Sequence, residues 1–218
     1  DMESYGFIGG LSLDGRLRGC RGILPMIIAA ERSGIRTLIV PAANLNEARL
    51  VHGIDIFGFD SLGDVIRYLE GKSTGMTETA PQVPQMLEAE EKPLDFSDVK
   101  GQNELIEGVI LAAAGGHNML MIGEPGCGKT MIAQRIPTIL PQMTEEECLE
   151  VTKIYSISGI LPNGHALMKT RPFRAPHHNA SLNALIGGGT NAMPGEVSLA
   201  HNGVLFLDEL AEFSRRTL

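Results

Sequence analysis

Residues 119–133 read MLMIGEPGCGKTMIA, an apolar run that breaks into a glycine-rich octet and resumes as a helix-compatible segment. The octet GEPGCGKT, Gly123 to Thr130, fits the spacing G-x-x-x-x-G-K-[ST] without a gap. Glycines let such a turn curl until successive N–H groups point at a common centre, and the helix that follows adds the positive end of its dipole. This is a cradle for phosphate oxygens. Gly123, Glu124, Pro125, Gly126, Cys127 and Gly128 are expected to form it. Lys129 is expected to reach the β- and γ-phosphates of ATP, and the Thr130 hydroxyl to hold Mg2+. At Cys127 a small side chain is all the geometry requires.

The flanks support the motif. HNMLMIG (117–123) reads as a strand, KTMIAQRIPTIL (129–140) as a helix, and the next confident strand is GVLFLDEL (203–210). In open α/β sheets ligands sit at the carboxyl ends of strands, where Asp208 and Glu209 fall. Asp208 is expected to hold Mg2+ through its water shell, and Glu209 to orient and polarise the attacking water. A solvated acid pair closing an ordinary strand is the alternative, and the phosphate loop upstream weighs against it.

Lys129 and Asp208 are 79 positions apart, more than a helix, a strand and their turns require. The excess is an insert at about 165–202, which includes MKTRPFRAPHHNASLNALIGGGTNAMPGEVSLAHNG. Residues 151–195 contain no acid but carry Lys153, Lys169, Arg171 and Arg174 with three histidines, against a net charge of −8 for the chain. Glycine-flanked arms with such residues suit phosphate-backbone contact, so Lys169, Arg171, Arg174, His177 and His178 are nucleic-acid candidates. The same arginines could instead pair with acids of a neighbouring subunit. Adjacent histidines in an extended segment point to opposite sides, so His177 and His178 suit hydrogen bonding better than chelation.

In front of this region the pattern is also α/β. YGFIGGLSL is β-like and ends in the Asp14-Gly15 turn; ILPMIIAAERSG reads as a helix, RTLIVP as a buried strand ended by Pro41, and NLNEARLVHG as a short capped helix. IDIFGF is a further strand, and Ser61 caps a helix LGDVIRYLEG. Residues 71–94 hold Pro81, Pro84 and Pro93 in a mostly polar, aperiodic stretch that reads as a flexible linker. Behind it GQNELIEGVILAAAGG looks helical, and Thr144 caps EEECLEVTKI.

At 218 residues and 43% hydrophobic, two modest cores are within reach. No apolar run approaches the roughly 18 to 20 residues of a membrane span, and there is no signal-peptide pattern, so a cytoplasmic protein without a membrane partner is expected. Cys20, Cys127 and Cys148 are too scattered for a disulfide framework or a zinc site.

Several of these stretches also carry a resemblance. DFSDVKGQ, AAAGGHNMLMIGEPGCGKTM, MTEEE, VTKIYSISG, RPFRAPHH, LIGGG and PGEVSLAHNGVLFLDELAEFSRR together resemble the magnesium-chelatase-like AAA+ ATPases of the ComM/YifB competence group, over about residues 94–218. GGLSLDGRLRGCRGILPMIIAAERSGIRTLIVPAAN is similar to the later part of the Lon-protease-like domain that precedes the ATPase in that group. The resemblance implies an α/β chain: a partial Lon-protease-like domain over 1–70, the linker 71–94, and a partial AAA+ domain with a parallel sheet over 95–218. It also implies an ATP-driven homo-hexamer acting on single-stranded or branched DNA, in branch migration or helicase-like remodelling during recombination and natural transformation.

The resemblance further implies that Gln102 lies near the adenine and that the insert faces the ring pore. Sensor, arginine finger and lid are expected beyond Leu218, so this stretch should bind nucleotide without efficient turnover. A Lon-type base would be a lysine where Leu24 stands, and leucine cannot activate a serine, so proteolysis is not expected. Two alternatives stay open: a chelatase motor subunit driving metal insertion into a porphyrin, and a non-catalytic binding module.

Overall fold

The structure, a computed structural model, describes residues 4–73, 94–161, 167–189 and 192–217. Most of the segment read as a linker lies outside the described residues. The chain divides into two compact units, Asp1–Pro84 with Thr152–Met168, and Gln85–Val151 with Lys169–Leu218. Residues 152–168, expected with the rear domain, group with the first unit.

The first unit is built on a three-stranded parallel sheet. Its strands are β1 (Tyr5–Phe7), β4 (Thr37–Pro41) and β5 (Asp55–Phe59), in the order β1-β4-β5, with Tyr5 opposite Thr37 and Thr37 opposite Asp55. Between β1 and β4 the chain makes a small hairpin, β2 (Gly10–Leu11) with β3 (Leu17–Arg18), and then α1 (Ile23–Arg32). The hairpin turn carries Asp14-Gly15, with the Gly15 amide donating to Ser12 O at 2.9 Å.

The central strand shows why TLIVP is apolar throughout. Leu38 and Val40 join a cluster with Ile23 and Ile27 of α1 and with Leu45 and Ala48 of α2 (Leu45–Ala48). Ile39 points the other way, into a cluster with Phe59 and with Val65 of α3 (Leu62–Leu69). A strand covered on both faces needs no polar alternation. Pro41 ends the strand as read: it is the last laddered residue, opposite Phe59.

Leu24 has no exposed surface. Full burial of such a side chain contributes about 1.5–3 kcal/mol, an environment that suits a core leucine and not a catalytic base. Ser61 caps α3 as read, accepting from the Asp64 amide at 3.2 Å. Tyr68 of α3 packs on Phe57 and Phe59 with ring centres 5.0 and 5.3 Å away, and burial pushes its hydroxyl pKa up. Cys20 is raised for the same reason, in a loop that Asn44 ties down through both Cys20 backbone groups at 3.0 Å.

In the second unit a single 3-10 turn, Phe96–Asp98, precedes α4 (Asn103–Gly115), and the phosphate-loop region leads into α5 (Lys129–Ala133). Phe96, Val99, Val109 and Ile132 form the core between them. The helix read over 129–140 is therefore shorter, closing in a 3-10 turn at Ile136–Thr138. Thr144 caps α6 (Glu145–Ser158) reciprocally: the Glu147 amide donates to Thr144 Oγ1 at 3.2 Å, and the Thr144 amide to Glu147 Oε2 at 2.8 Å.

Two readings differ from the structure here. The segment 117–123, read as a strand, makes no ladder with any described residue, and Ile122 is 90% exposed. Apolar sequence favours a strand, but a ladder needs a partner at hydrogen-bonding distance. The glycine-rich insert, read as flexible arms, is locally organised: β6 (Phe173–Arg174), α7 (Leu182–Ile186), a hairpin of β7 (Gly187–Gly188) with β8 (Met193–Pro194), α8 (Glu196–Leu199) and β9 (Val204–Leu205). Gly187 has φ 90°, and a Cβ there would lie 2.7 Å from Met193 O. Its glycine permits close backbone approach, not mobility.

Strand β6 pairs in parallel with β9, Phe173 opposite Val204 and Arg174 opposite Leu205. The Phe206 amide extends the pairing to Arg174 O at 2.8 Å. Only the first residues of VLFLDEL are therefore laddered, and the acids follow as an extension that leaves the strand.

Candidate nucleotide site

The phosphate loop bends where its glycines allow. Gly126 and Gly128 have φ 80° and 90°, left-handed values that cost a side-chain residue strain. Gly128 is the residue from which α5 starts, so the loop delivers its chain into a helix N-terminus. Lys129 Nζ donates to Gly123 O at 2.7 Å and Glu124 O at 2.8 Å, and lies 3.6 Å from Cys127 Sγ. The ammonium is thus held over the mouth of its own loop. Gln102, in a left-handed conformation before α4, donates from Nε2 to Cys127 O at 3.1 Å.

Across from the loop stands the acidic strand end. Thr130 Oγ1 donates to Asp208 Oδ2 at 2.9 Å, and the Glu209 amide donates to Asp208 Oδ1 at 3.0 Å. A cavity of about 810 Å3 opens between them, bounded by Gly123, Gly126, Lys129, Thr130, Asp208 and Glu209. That volume lies in the range of small-molecule sites, about 300–1,000 Å3. A carboxylate and a hydroxyl oxygen at hydrogen-bond distance form a hard-oxygen pair suited to Mg2+, and an ammonium with a glycine cradle suits phosphate, so these residues fit Mg2+ and ATP.

The Glu209 carboxylate takes a different partner. Its Oε2 lies 3.0 Å from His178 Nδ1, and the His178 ring stacks obliquely on His177 with centres 4.1 Å apart. His177 Nδ1 accepts from the Asn179 amide at 3.2 Å, while His178 faces the Glu209 carboxylate. Its partner was not visible in the sequence. The register supplies the reason: the pairing of Arg174 with Leu205 is an offset of 31 residues, and the same offset relates His178 to Glu209.

The basic candidates of the insert separate into two kinds. Arg171 donates to Pro141 O and Asn202 O, both at 2.6 Å, and pairs with Glu147 at 3.4 Å, its side chain 14% exposed. Arg174 grips Glu196 through two nitrogens at 2.5 and 2.7 Å. Both guanidiniums are engaged with acids, as the second reading of these arginines has it, but with acids of their own chain and not of a neighbouring subunit. Lys169 and His177 are exposed. The fixing acids Glu147 and Glu196 were not singled out, since only folding brings them to their arginines.

Cys20, Cys127 and Cys148 are not joined in a disulfide. No described helix is long and apolar enough to cross a membrane, and no group of three or more potential metal ligands from His, Cys, Asp and Glu occurs among the described residues.

The candidate site is thus a glycine loop opening a helix, a lysine over its mouth and an aspartate joined to the threonine behind that lysine. The family described as magnesium chelatase, subunit ChlI, matches residues 95–218, and one described as subunit ChlI of Mg-chelatase matches residues 1–44. With these matches and the relatives below, the chain belongs to the magnesium chelatase ChlI family, in a ComM- and YifB-like form.

A Mycobacterium tuberculosis relative is 47% identical over 220 residues. YifB of Escherichia coli is 46% identical over 222, and the competence protein ComM of Haemophilus influenzae 43% over 223. Each alignment takes in all of this chain and 42% of the relative. The chain thus spans less than half the length of these relatives. An archaeal Lon protease of Methanothermobacter thermautotrophicus is 35% identical over 97 residues, 43% of this chain and 15% of its own length. The arrangement is Lon-like followed by AAA+, and the family is AAA+ ATPase-like.

Proposed function

We propose that the full-length parent is an ATP-hydrolysing AAA+ motor that acts on DNA, assembled as a homo-hexamer in the cytoplasm. The observation that carries the ATPase part is the hydrogen bond from Thr130 to Asp208 across a cavity that Lys129 and the glycine loop also line. Lys129 exchanges its two loop carbonyls for phosphate oxygens, which charge-assisted hydrogen bonds favour. Thr130 and Asp208 would hold Mg2+, and bound Mg2+ supplies charge neutralisation at the phosphates. Glu209 orients the attacking water and accepts its proton. Gln102 fixes the loop from behind through the Cys127 carbonyl.

The DNA part is supported by the Haemophilus influenzae relative, whose name is competence protein, and by exposed Lys169 and His177 in a segment free of acids. Branch migration or helicase-like remodelling is the form of work proposed. The 218-residue chain alone is proposed to bind nucleotide without efficient turnover, and the Lon-like part to serve structure or regulation, since Leu24 is sealed in the core.

The test is steady-state ATPase activity of the full-length parent with single-stranded DNA, a branched junction, or neither. Stimulation by one of the DNAs supports the proposal. Activity indifferent to both DNAs, yet raised by porphyrin-chelatase partner subunits, contradicts it. That outcome would favour the second reading, a chelatase motor, for which the descriptions of both matching families speak. The similarity to a Lon protease, over 43% of this chain, speaks against it.

A further inference from the structure

Gln102 breaks two local rules at once. It is the N-cap residue of α4, yet its side chain makes no capping hydrogen bond, and its backbone lies at φ 51°, a left-handed value that a residue with a Cβ adopts only under strain. Glycine would adopt it freely, as Gly101 just before it does at φ 72°. Positions where local rules fail are where a fold serves something besides itself. Among the described residues the Gln102 carboxamide makes one hydrogen bond, from Nε2 to the Cys127 carbonyl oxygen at 3.1 Å. The side chain that leaves its own helix uncapped is given to the phosphate loop.

That bond acts on more than the carbonyl. In a planar trans peptide the C=O of one residue and the N–H of the next point in opposite directions, so drawing Cys127 O toward Gln102 turns the Gly128 N–H away from it. The described residues lining the cavity include Gly128 and neither Cys127 nor Gln102. The Gly128 amide donates to no described group. It is a spare donor on the cavity side, in a loop whose glycines at 126 and 128 leave the intervening backbone little local reason to hold one orientation. With the peptide reversed, a carbonyl oxygen would face the phosphates and repel them.

Gln102 is itself well anchored. Its carbonyl oxygen accepts from the Ile106 amide at 3.0 Å in the first turn of α4, and Val109 of that helix shares a buried cluster with Ile132 of α5. The helix that carries the glutamine and the helix that the loop opens are thus packed on one core. The brace is fixed, and the loop peptide is the part it orients.

We propose that Gln102 is a positioning residue that holds the Cys127–Gly128 peptide with its N–H toward the phosphates, and so sets affinity for the triphosphate and not for the base. This role rests on the nucleotide-binding reading above and deepens it. The resemblance to the AAA+ group sets Gln102 near the adenine; the bond to the loop assigns it to the phosphates instead.

The experiment uses the full-length parent and measures the affinity for ATP and for inorganic tripolyphosphate, each with Mg2+, beside the melting temperature of the free protein. Gln102→Gly removes the carboxamide and relieves the left-handed strain. Its affinity for both ligands is expected to fall by the same factor, roughly two- to tenfold, as loss of one exposed hydrogen bond allows, while its melting temperature stays or rises. Gln102→Glu keeps the shape but cannot donate to a carbonyl, and at least the same loss is expected.

Unchanged ATP affinity in Gln102→Gly overturns the proposal. So does a loss for ATP that tripolyphosphate does not share, which would make Gln102 a base contact. If the glycine variant melts below the wild type, Gln102→Glu is judged by the same two criteria. A wild-type parent that binds both ligands, beside variants of equal affinity, sinks this inference alone. A wild-type parent that binds neither sinks the functional reading as well.

Discussion

Thr130 and Asp208 lie 78 residues apart in the chain and 2.9 Å apart in the fold, joined by a hydrogen bond from the threonine hydroxyl to the carboxylate. The contact brings the helix after the phosphate loop to the end of the acidic strand. Asp208→Asn keeps the shape and removes the charge a divalent cation needs. In the full-length parent the Mg2+-dependent part of ATP affinity is expected to fall roughly tenfold or more, about 1.4 kcal/mol. Affinity in the presence of EDTA should not change. Calorimetric titration with and without Mg2+ reads both.

Arg174 and Lys169 should part company under the same substitution. Arg174→Ala strands Glu196 in a half-buried position and is expected to cost roughly 1–3 kcal/mol in urea unfolding. Arg174→Lys should not restore it, because a lysine cannot reproduce the two-pronged grip. Lys169→Ala should leave the unfolding midpoint in place, weaken DNA binding by the parent, and lower the salt slope of that binding by about one ion. Unchanged DNA affinity would remove Lys169 from the candidates.

Two glycines predict opposite signs for one change. A Cβ at Gly203 would overlap the carbonyl oxygen of Pro172, next to the β6–β9 pairing, so Gly203→Ala is expected to destabilise by about 1–3 kcal/mol. Gly108 lies inside α4 with nothing within 4 Å of an added Cβ, so Gly108→Ala is expected to stabilise by about 0.5–1 kcal/mol. Thermal unfolding of the two variants decides.

Ser61 and Asp64 give a pH test. The hydrogen bond from Ser61, and then Arg67, hold the Asp64 carboxyl below its ordinary 3.8. A depressed carboxyl contributes stability above that ordinary value and loses it as pH falls through the lower, folded-state value. Ser61→Ala removes the cap, which costs about 1 kcal/mol near neutral pH. It should also bring the Asp64 titration upward, as seen by NMR, and soften the acid-side loss of stability. An unmoved titration would mean that Ser61 is not its main cause.

What was legible in the sequence was local. The phosphate loop is eight consecutive residues, and its chemistry is written in their spacing. β4 was visible because burial on both faces demands an unbroken apolar run, and α3 because Ser61 stands before its first turn. Partnerships across long separations were not visible. Nothing near residue 178 announces Glu209, since the offset that joins them is a register between two short strands. Nothing near Arg174 announces Glu196. The apolar segment 117–123 has the composition of a strand, yet whether it is one depends on neighbours that composition does not specify. The glycines of the insert read as flanks of extended arms because sequence shows a missing side chain but not the backbone that fills its place.

The loop around Lys129 and the acids at 208 and 209 are proposed to form one site for Mg2+ and ATP. The most direct measurement is calorimetric titration of Mg2+-ATP into the full-length parent and its Lys129→Ala variant. Saturable one-to-one binding per protomer is expected in the parent and is abolished by the substitution, with the variant still folded by circular dichroism. Equal affinity in the two proteins would contradict it.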